Sequence, residues 1–114
     1  MNTEKSLIDA YNSKSIGSGR EPIILKPYCL EFISDCRISG LAILGIEGYF
    51  VANGKVCPNI NEIADFSNLP IENWETYLKE SIEAANRFIG IMMSSGKSDA
   101  YGFALTNEFI EISK

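Results

Sequence analysis

A stripe of apolar residues between Leu69 and Met93 is the feature that most limits how this chain can fold. Its members recur every three or four positions, which is the spacing of one face of an α-helix. They are Ile71, Trp74, Leu78, Ile82, Ala85, Ile89 and Met92. A helix with one apolar face needs a second layer of structure to cover that face. The pattern therefore predicts a helix over about 69–93 that buries Trp74 and packs on the rest of the domain.

The segment before this helix has the composition of a β-hairpin. Leu41 to Val51 is rich in apolar and β-branched residues, and Asn53-Gly54 is the dipeptide that most readily adopts a two-residue hairpin turn. The returning strand is expected over about Lys55–Cys57 and should end at Pro58. Asn59 to Pro70 has no sustained period, which predicts an irregular connection to the long helix.

Alternating residues near the C-terminus predict further strands. Tyr101, Phe103 and Leu105 fall on one side of an extended chain, and Phe109 to Ile112 forms a second short alternating piece after a turn signal at Asn107. Together with the hairpin, these segments predict an antiparallel sheet of three to four strands.

The N-terminal part of the chain predicts two shorter helices. Thr3 to Asn12 has a capping residue and helical apolar spacing, and Pro27 to Ile38 begins with a proline suited to a first helical turn. Ser13 to Pro22 is a Gly/Ser-rich loop between them. The expected fold class is α+β: one domain over residues 1–114, with helices covering a small antiparallel sheet.

Charge and hydropathy restrict the partners. A net charge of −5 and scattered basic residues argue against binding to nucleic acid, which needs clustered Lys and Arg. An acidic surface suits a basic protein partner instead. No apolar run approaches the roughly 18 to 20 residues that span a bilayer, and the N-terminal segment lacks the pattern of a secretory signal. We therefore expect a cytoplasmic protein that does not bind membranes.

The cysteines and the absence of histidine argue against metal or thiol chemistry. Cys29, Cys36 and Cys57 match no C-x-x-C spacing, and a chain without histidine has no Cys-His nucleophile pair and no mixed zinc site. The cysteines are expected to be small buried hydrophobes. Neither a G-x-S-x-G motif nor a Walker loop is present. The sequence predicts no cofactor and no enzymatic activity.

Glu47 is the one charged residue in the apolar stretch "LAILGIEGYFV". In a regular strand it shares a face with Ile43 and Tyr49, while Leu44, Ile46 and Phe50 take the other face. Both faces are therefore expected to be covered. An unpaired buried carboxylate costs several kcal/mol. We therefore expect Gly45 and Gly48 to mark a bulge or bend that lets Glu47 reach solvent or a hydrogen-bond donor. The side chain is then either a solvated structural acid or a rigidly held binding carboxylate.

The order of these pieces resembles a family of bacterial immunity proteins. These proteins neutralise polymorphic toxins, including those of contact-dependent growth inhibition systems. The likeness rests on a strand of the form "LG-x-acid-x-Tyr" and on a helix with a Ser, an Ala and an aromatic-Ile pair. The matching residues are Leu44, Gly45, Glu47, Tyr49, Ser81, Ala85, Phe88 and Ile89. The chain departs from the family pattern at Ile46, where a second glycine is usual, and at Glu47, where Asp is usual.

The resemblance implies a non-enzymatic protein that binds one cognate toxin domain, possibly a nuclease, and blocks it. Exposed acids on ordered structure or just before the long helix are then the expected contacts with a basic toxin. They are Glu47, Glu62, Asp65, Glu72 and Glu75. The alternative is an enzyme accessory or small-molecule-binding domain with a cavity between the sheet and the long helix.

Overall fold

A computed structural model of the chain describes residues 3–16, 21–70 and 72–107. In these ranges three α-helices and four strands follow one another. In chain order they are α1 (Thr3–Ala10), β1 (Ile23–Leu25), α2 (Cys29–Ile38), β2 (Ala42–Ala52), β3 (Lys55–Asp65), α3 (Trp74–Ser95) and β4 (Ala100–Thr106). Single turns of 3-10 helix, Asn12–Lys14 and Lys26–Tyr28, follow α1 and precede α2. Within the described part of the chain, no helix reaches the length and apolar character that a bilayer crossing demands.

The four strands form one antiparallel sheet in the order β1-β4-β2-β3. Asn53 and Gly54 join β2 to β3 with positive φ angles of 54° and 75°, so the predicted hairpin turn is confirmed. β4 returns from the C-terminal end of α3 and lies between β1 and β2, where Tyr101 is opposite Ile24 and Phe103 is opposite Ile46. The α+β class and the antiparallel sheet are therefore confirmed.

The helices cover one face of this sheet. Phe32 of α2 packs on Phe103 with ring centroids 4.9 Å apart, and Phe88 of α3 packs edge-on against Tyr101 at 6.2 Å. Ser81 of α3 accepts a hydrogen bond from the N–H of Ile43 at 3.1 Å. Full burial of side chains of this size stabilises a fold by about 1.5 to 3 kcal/mol each. The core therefore lies between the sheet and the two longer helices.

The long helix begins later than the apolar stripe suggests. The side chain of Asn73 caps it by accepting a hydrogen bond from the N–H of Thr76 at 2.8 Å, so the first helical residue is Trp74. Ile82, Ala85 and Ile89 are buried as expected. The prediction that Trp74 is a core residue is wrong: it is half-buried, and Tyr77 is fully buried one turn further on. Ile71 lies outside the described residues.

The largest correction concerns β3. It does not end at Pro58 but continues to Asp65, so the predicted irregular connection is half strand. An edge strand tolerates proline because the missing N–H can face solvent. β3 also bulges: Asn59 is opposite Gly48 and Ile63 is opposite Glu47, which leaves residues 60–62 without a partner on β2. Three extra residues interrupt the alternation by which a strand is recognised.

Other expectations fare differently. The helices expected at Thr3 and Pro27 are confirmed as α1 and α2, and β1 is an additional strand of three residues. Cys29 and Cys36 are buried, but Cys57 is exposed on the edge strand, so it is not the expected buried hydrophobe. The strand expected over residues 109–112 lies outside the described part of the chain.

Candidate functional site

The face of the sheet opposite the helices carries an open groove of about 390 Å³. Its floor is built from small residues of the two central strands. Gly45 pairs with Ala104, and Glu47 pairs with Gly102. Partners in an antiparallel sheet share a face, and this is the face that Tyr101 and Phe103 do not occupy. On the β4 side the neighbours of Glu47 on this face are therefore small, whereas its partner on β3 is Ile63.

An extra residue in β2 explains how Glu47 avoids the core. Ile43 is opposite Leu105 and Gly45 is opposite Ala104, so Leu44 has no partner on β4. This bulge lets Ile43 and Ile46 both face the helices, while Glu47 is only half-buried on the open face. A second register shift follows between Glu47 and Gly48 on the β3 side. The expected strand irregularity at Glu47 is confirmed.

The carboxylate of Glu47 has one hydrogen-bond donor among the described residues. The Tyr49 hydroxyl donates to its Oε1 at 2.9 Å. Burial, and then this bond to a carboxylate, raise the pKa of Tyr49 to about 12. The ring of Tyr49 lies over Gly102, where an added Cβ would be 3.0 Å from the Cε2 atom. Tyr49 therefore holds the Glu47 side chain in place, and the Oε2 atom is left to accept a further donor.

Two more acids line the groove, one near each edge strand of the sheet. Asp65, at the end of β3, is exposed and accepts hydrogen bonds at Oδ1 from the Ser67 hydroxyl at 2.6 Å and the Ser67 N–H at 2.9 Å. These bonds lower the pKa of Asp65, so it is ionised at neutral pH. Glu21, just before β1, is exposed and also lines the groove.

The groove therefore has an uncompensated negative charge within the described structure. The two ion pairs found in residues 3–16, 21–70 and 72–107, Lys5–Asp9 and Lys14–Glu31, lie elsewhere. Ionised carboxylates offer only acceptor atoms. The arrangement suits a ligand that is cationic and rich in donors, and it disfavours an anion.

Glu62 does not line this groove, and the expectation that its side chain is exposed is wrong. It lies on the helix side of β3, is 9% exposed, and its carboxylate accepts four hydrogen bonds. The donors are the N–H groups of Lys97 and Ser98 and the hydroxyls of Ser98 and Tyr101. Burial raises the pKa of Glu62, but these bonds outweigh it and lower the pKa to about 2. Glu62 is a structural anion.

The remaining expected contacts lie apart from the groove. Glu72 and Glu75 are exposed beside the first turn of α3, and neither lines the groove. Glu75 has a favourable position at the helix N-terminus, where a negative charge interacts with the helix dipole. The structure thus brings together Glu47 and Asp65 from the expected set and adds Glu21, which the sequence reading missed. In the sequence, Glu21 is marked only by its position two residues before β1, and that strand is too short to be recognised from a residue pattern.

The position of the groove also bears on the alternative reading of a ligand cavity between the sheet and the long helix. The groove is on the other face of the sheet, whereas Ile43, Ile46, Ile82 and Ile89 are packed into the core on the helix side.

Neither a protein-family model nor a curated protein sequence matches this chain.

Proposed function

We propose that this protein is a non-enzymatic immunity protein that binds a basic toxin domain through the open face of its sheet. The observation that carries the proposal is the acidic groove itself, in which Glu21, Glu47 and Asp65 surround a floor of small residues. The floor belongs to the two central strands, so the surface is formed before binding. A preformed surface spends little free energy on ordering when a partner docks.

The charge of the whole chain supports the same function. A net charge of −5 favours encounter with a basic partner by electrostatic steering, which raises association rates at low ionic strength. Fast capture is useful to an inhibitor that must act before its toxin does. The resemblance of the Leu44–Tyr49 strand and the Ser81–Ile89 helix segment to immunity proteins supports a cytoplasmic protein of this kind.

The test uses the toxin domain encoded by the reading frame next to the gene for this protein. The two proteins should copurify, and isothermal titration calorimetry should show a complex with a defined stoichiometry. The immunity protein should also protect cells that express the toxin. Failure to bind this domain, together with failure to protect, would contradict the proposed function.

A further inference from the structure

We propose that the groove on the open sheet face binds an arginine side chain of the partner protein. This inference rests on the proposed function, because the arginine is supplied by the toxin domain. It concerns the chemistry of the contact: a guanidinium group lies on the floor made by Gly45 and Ala104 and donates hydrogen bonds to the surrounding carboxylates.

The free acceptor atoms define what the groove can bind. Glu47 uses Oε1 for Tyr49, and Asp65 uses Oδ1 for both of its bonds from Ser67. Among the described residues, Oε2 of Glu47 and Oδ2 of Asp65 are in no hydrogen bond, and Glu21 adds a third carboxylate. A guanidinium carries five N–H donors in a planar fork, so one group can donate in several directions at once.

The floor favours arginine over lysine. Gly45 and Ala104 are partners on the two paired central strands, and these small residues leave a flat, shallow surface beside the carboxylate of Glu47. A planar guanidinium is weakly hydrated and can lie flat on such a surface. A lysine ammonium is a compact and strongly hydrated point charge, which loses more hydration in the same place.

Several cations of the described chain are held elsewhere. Lys26 donates to the carbonyl of Gly96, Lys14 bonds to Glu31, and Lys5 bonds to Asp9. Of the residues that line the groove, three are acids and none is a base. Because no base of the described residues lines the groove, charge complementarity favours a cationic group supplied by a second molecule.

The groove can be tested with a small probe before any toxin is used. The uniformly ¹⁵N-labelled protein is titrated with N-acetyl-arginine amide and, separately, with N-acetyl-lysine amide at the same ionic strength. The arginine probe should shift the amide resonances of Gly45, Glu47 and Gly102 in a saturable manner, and the lysine probe should shift them less. Equal responses to the two probes, or no response at these residues, would overturn the proposal.

Variants separate charge from shape. Glu47→Gln and Asp65→Asn should each weaken the response to the arginine probe, whereas Glu83→Gln, at an exposed position on α3, should leave it unchanged. Ala104→Leu fills the floor without removing a charge and should also abolish the response. Each variant is first shown to fold by its amide spectrum. Because the Glu47 and Asp65 substitutions keep the side-chain size, they remain informative if Ala104→Leu does not fold.

The same variants distinguish this inference from the proposed function. In the complex with the toxin domain, Glu47→Gln should weaken binding by about tenfold or more, since it removes a charged partner at the centre of the contact. If the toxin binds all groove variants as tightly as the wild type, the function stands and the arginine site is wrong. If the blocked arginine binds but no toxin does, the site stands and the function is wrong. Resonance shifts at Gly45 and Gly102 on Arg20→Ala, without a response to the probe, would assign the groove to a cation of this chain instead.

Discussion

The carboxylate of Glu62 and the hydroxyl of Tyr101 lie 2.8 Å apart on the helix side of the sheet, although 39 residues separate them in sequence. The same carboxylate receives both backbone and side-chain donors from the connection between α3 and β4. Asn59, at the start of the β3 bulge, adds a bond from its Nδ2 to the Ser98 hydroxyl at 3.0 Å. One buried anion therefore fastens the bulge to the end of the long helix and to the central strand.

This network predicts acid sensitivity. The pKa of Glu62 falls from 4.5 to about 2 on folding, so its stabilising effect is fully present above about 4.5 and is lost as the pH falls through about 2. Glu62→Gln replaces one carboxylate oxygen by an NH2 group, which cannot accept a hydrogen bond from the surrounding donors. The substitution should lower the free energy of unfolding by about 2 to 3 kcal/mol at pH 7. Chemical denaturation at pH 7 and pH 3 measures the free energy of unfolding of the variant and the wild type. The difference between these two free energies should be smaller at pH 3 than at pH 7. An equal difference at both would contradict the prediction, and Glu83→Gln, at an exposed position on α3, provides the exposed-acid control.

The approach of Ser98 to β2 predicts an intolerant glycine. A Cβ on Gly48 would clash with the Ser98 hydroxyl and lie 3.2 Å from the Cβ of Glu62. Gly48→Ala should therefore destabilise the protein by about 1 to 3 kcal/mol, as overpacking does in other cores. Gly90 in α3 is the matched control because a Cβ there has nothing within 4 Å. Gly90→Ala should stabilise by about 0.5 to 1 kcal/mol, and thermal unfolding of the two variants measures both effects. Equal thermal midpoints for Gly48→Ala and Gly90→Ala would show that Ser98 moves aside without cost.

Trp74, the first residue of α3, should be less important for stability than Ile89 near the other end of the helix. Ile89 is fully buried, so Ile89→Ala should lower the free energy of unfolding by about 2 to 5 kcal/mol. Trp74 is half-buried, and Trp74→Ala should cost less, about 1 to 2 kcal/mol, despite the greater size of the side chain. Urea denaturation gives both values. A larger loss for Trp74→Ala would mean that the first turn packs more closely than its exposure indicates.

The sequence predicts those parts of the fold that rest on local signals. The apolar period identifies α3, and the Asn53-Gly54 turn identifies the hairpin, because both depend on neighbouring residues. β1 is too short to show a period. β3 is hidden by its three unpaired residues, since side chains after the bulge no longer alternate in phase with those before it.

The site was predictable only in part for a related reason. Glu47 carries a local signal, since a carboxylate between two glycines in an apolar strand requires an explanation. Glu62 has no such signal: its donors Ser98 and Tyr101 come from a connection 36 and 39 residues further along. The groove floor likewise exists only because β4 pairs with β2, which places Gly102 and Ala104 beside Glu47 and Gly45. Long-range pairing of this kind cannot be read from one segment.

If the proposed function holds, the separation of the acids into two groups predicts different kinetic effects on binding to the toxin domain. Glu72 and Glu75 are exposed and outside the groove, so Glu72→Gln and Glu75→Gln should lower the association rate modestly at low salt and have little effect at high salt. Glu47 is half-buried at the centre of the groove, and Glu47→Gln should mainly raise the dissociation rate and should do so at both salt concentrations.

Surface plasmon resonance at low and high ionic strength, with the toxin domain immobilised and this protein in solution, resolves the two rates. Glu83→Gln, on the exposed side of α3, is the control for loss of one negative charge at a distance from the groove. Because each of these variants changes the net charge equally, a difference in dissociation rate between Glu47→Gln and Glu83→Gln can only come from position. A Glu47→Gln complex that dissociates at the wild-type rate would place the contact on another face, and a dominant effect of Glu72→Gln or Glu75→Gln at high salt would place it at the start of α3.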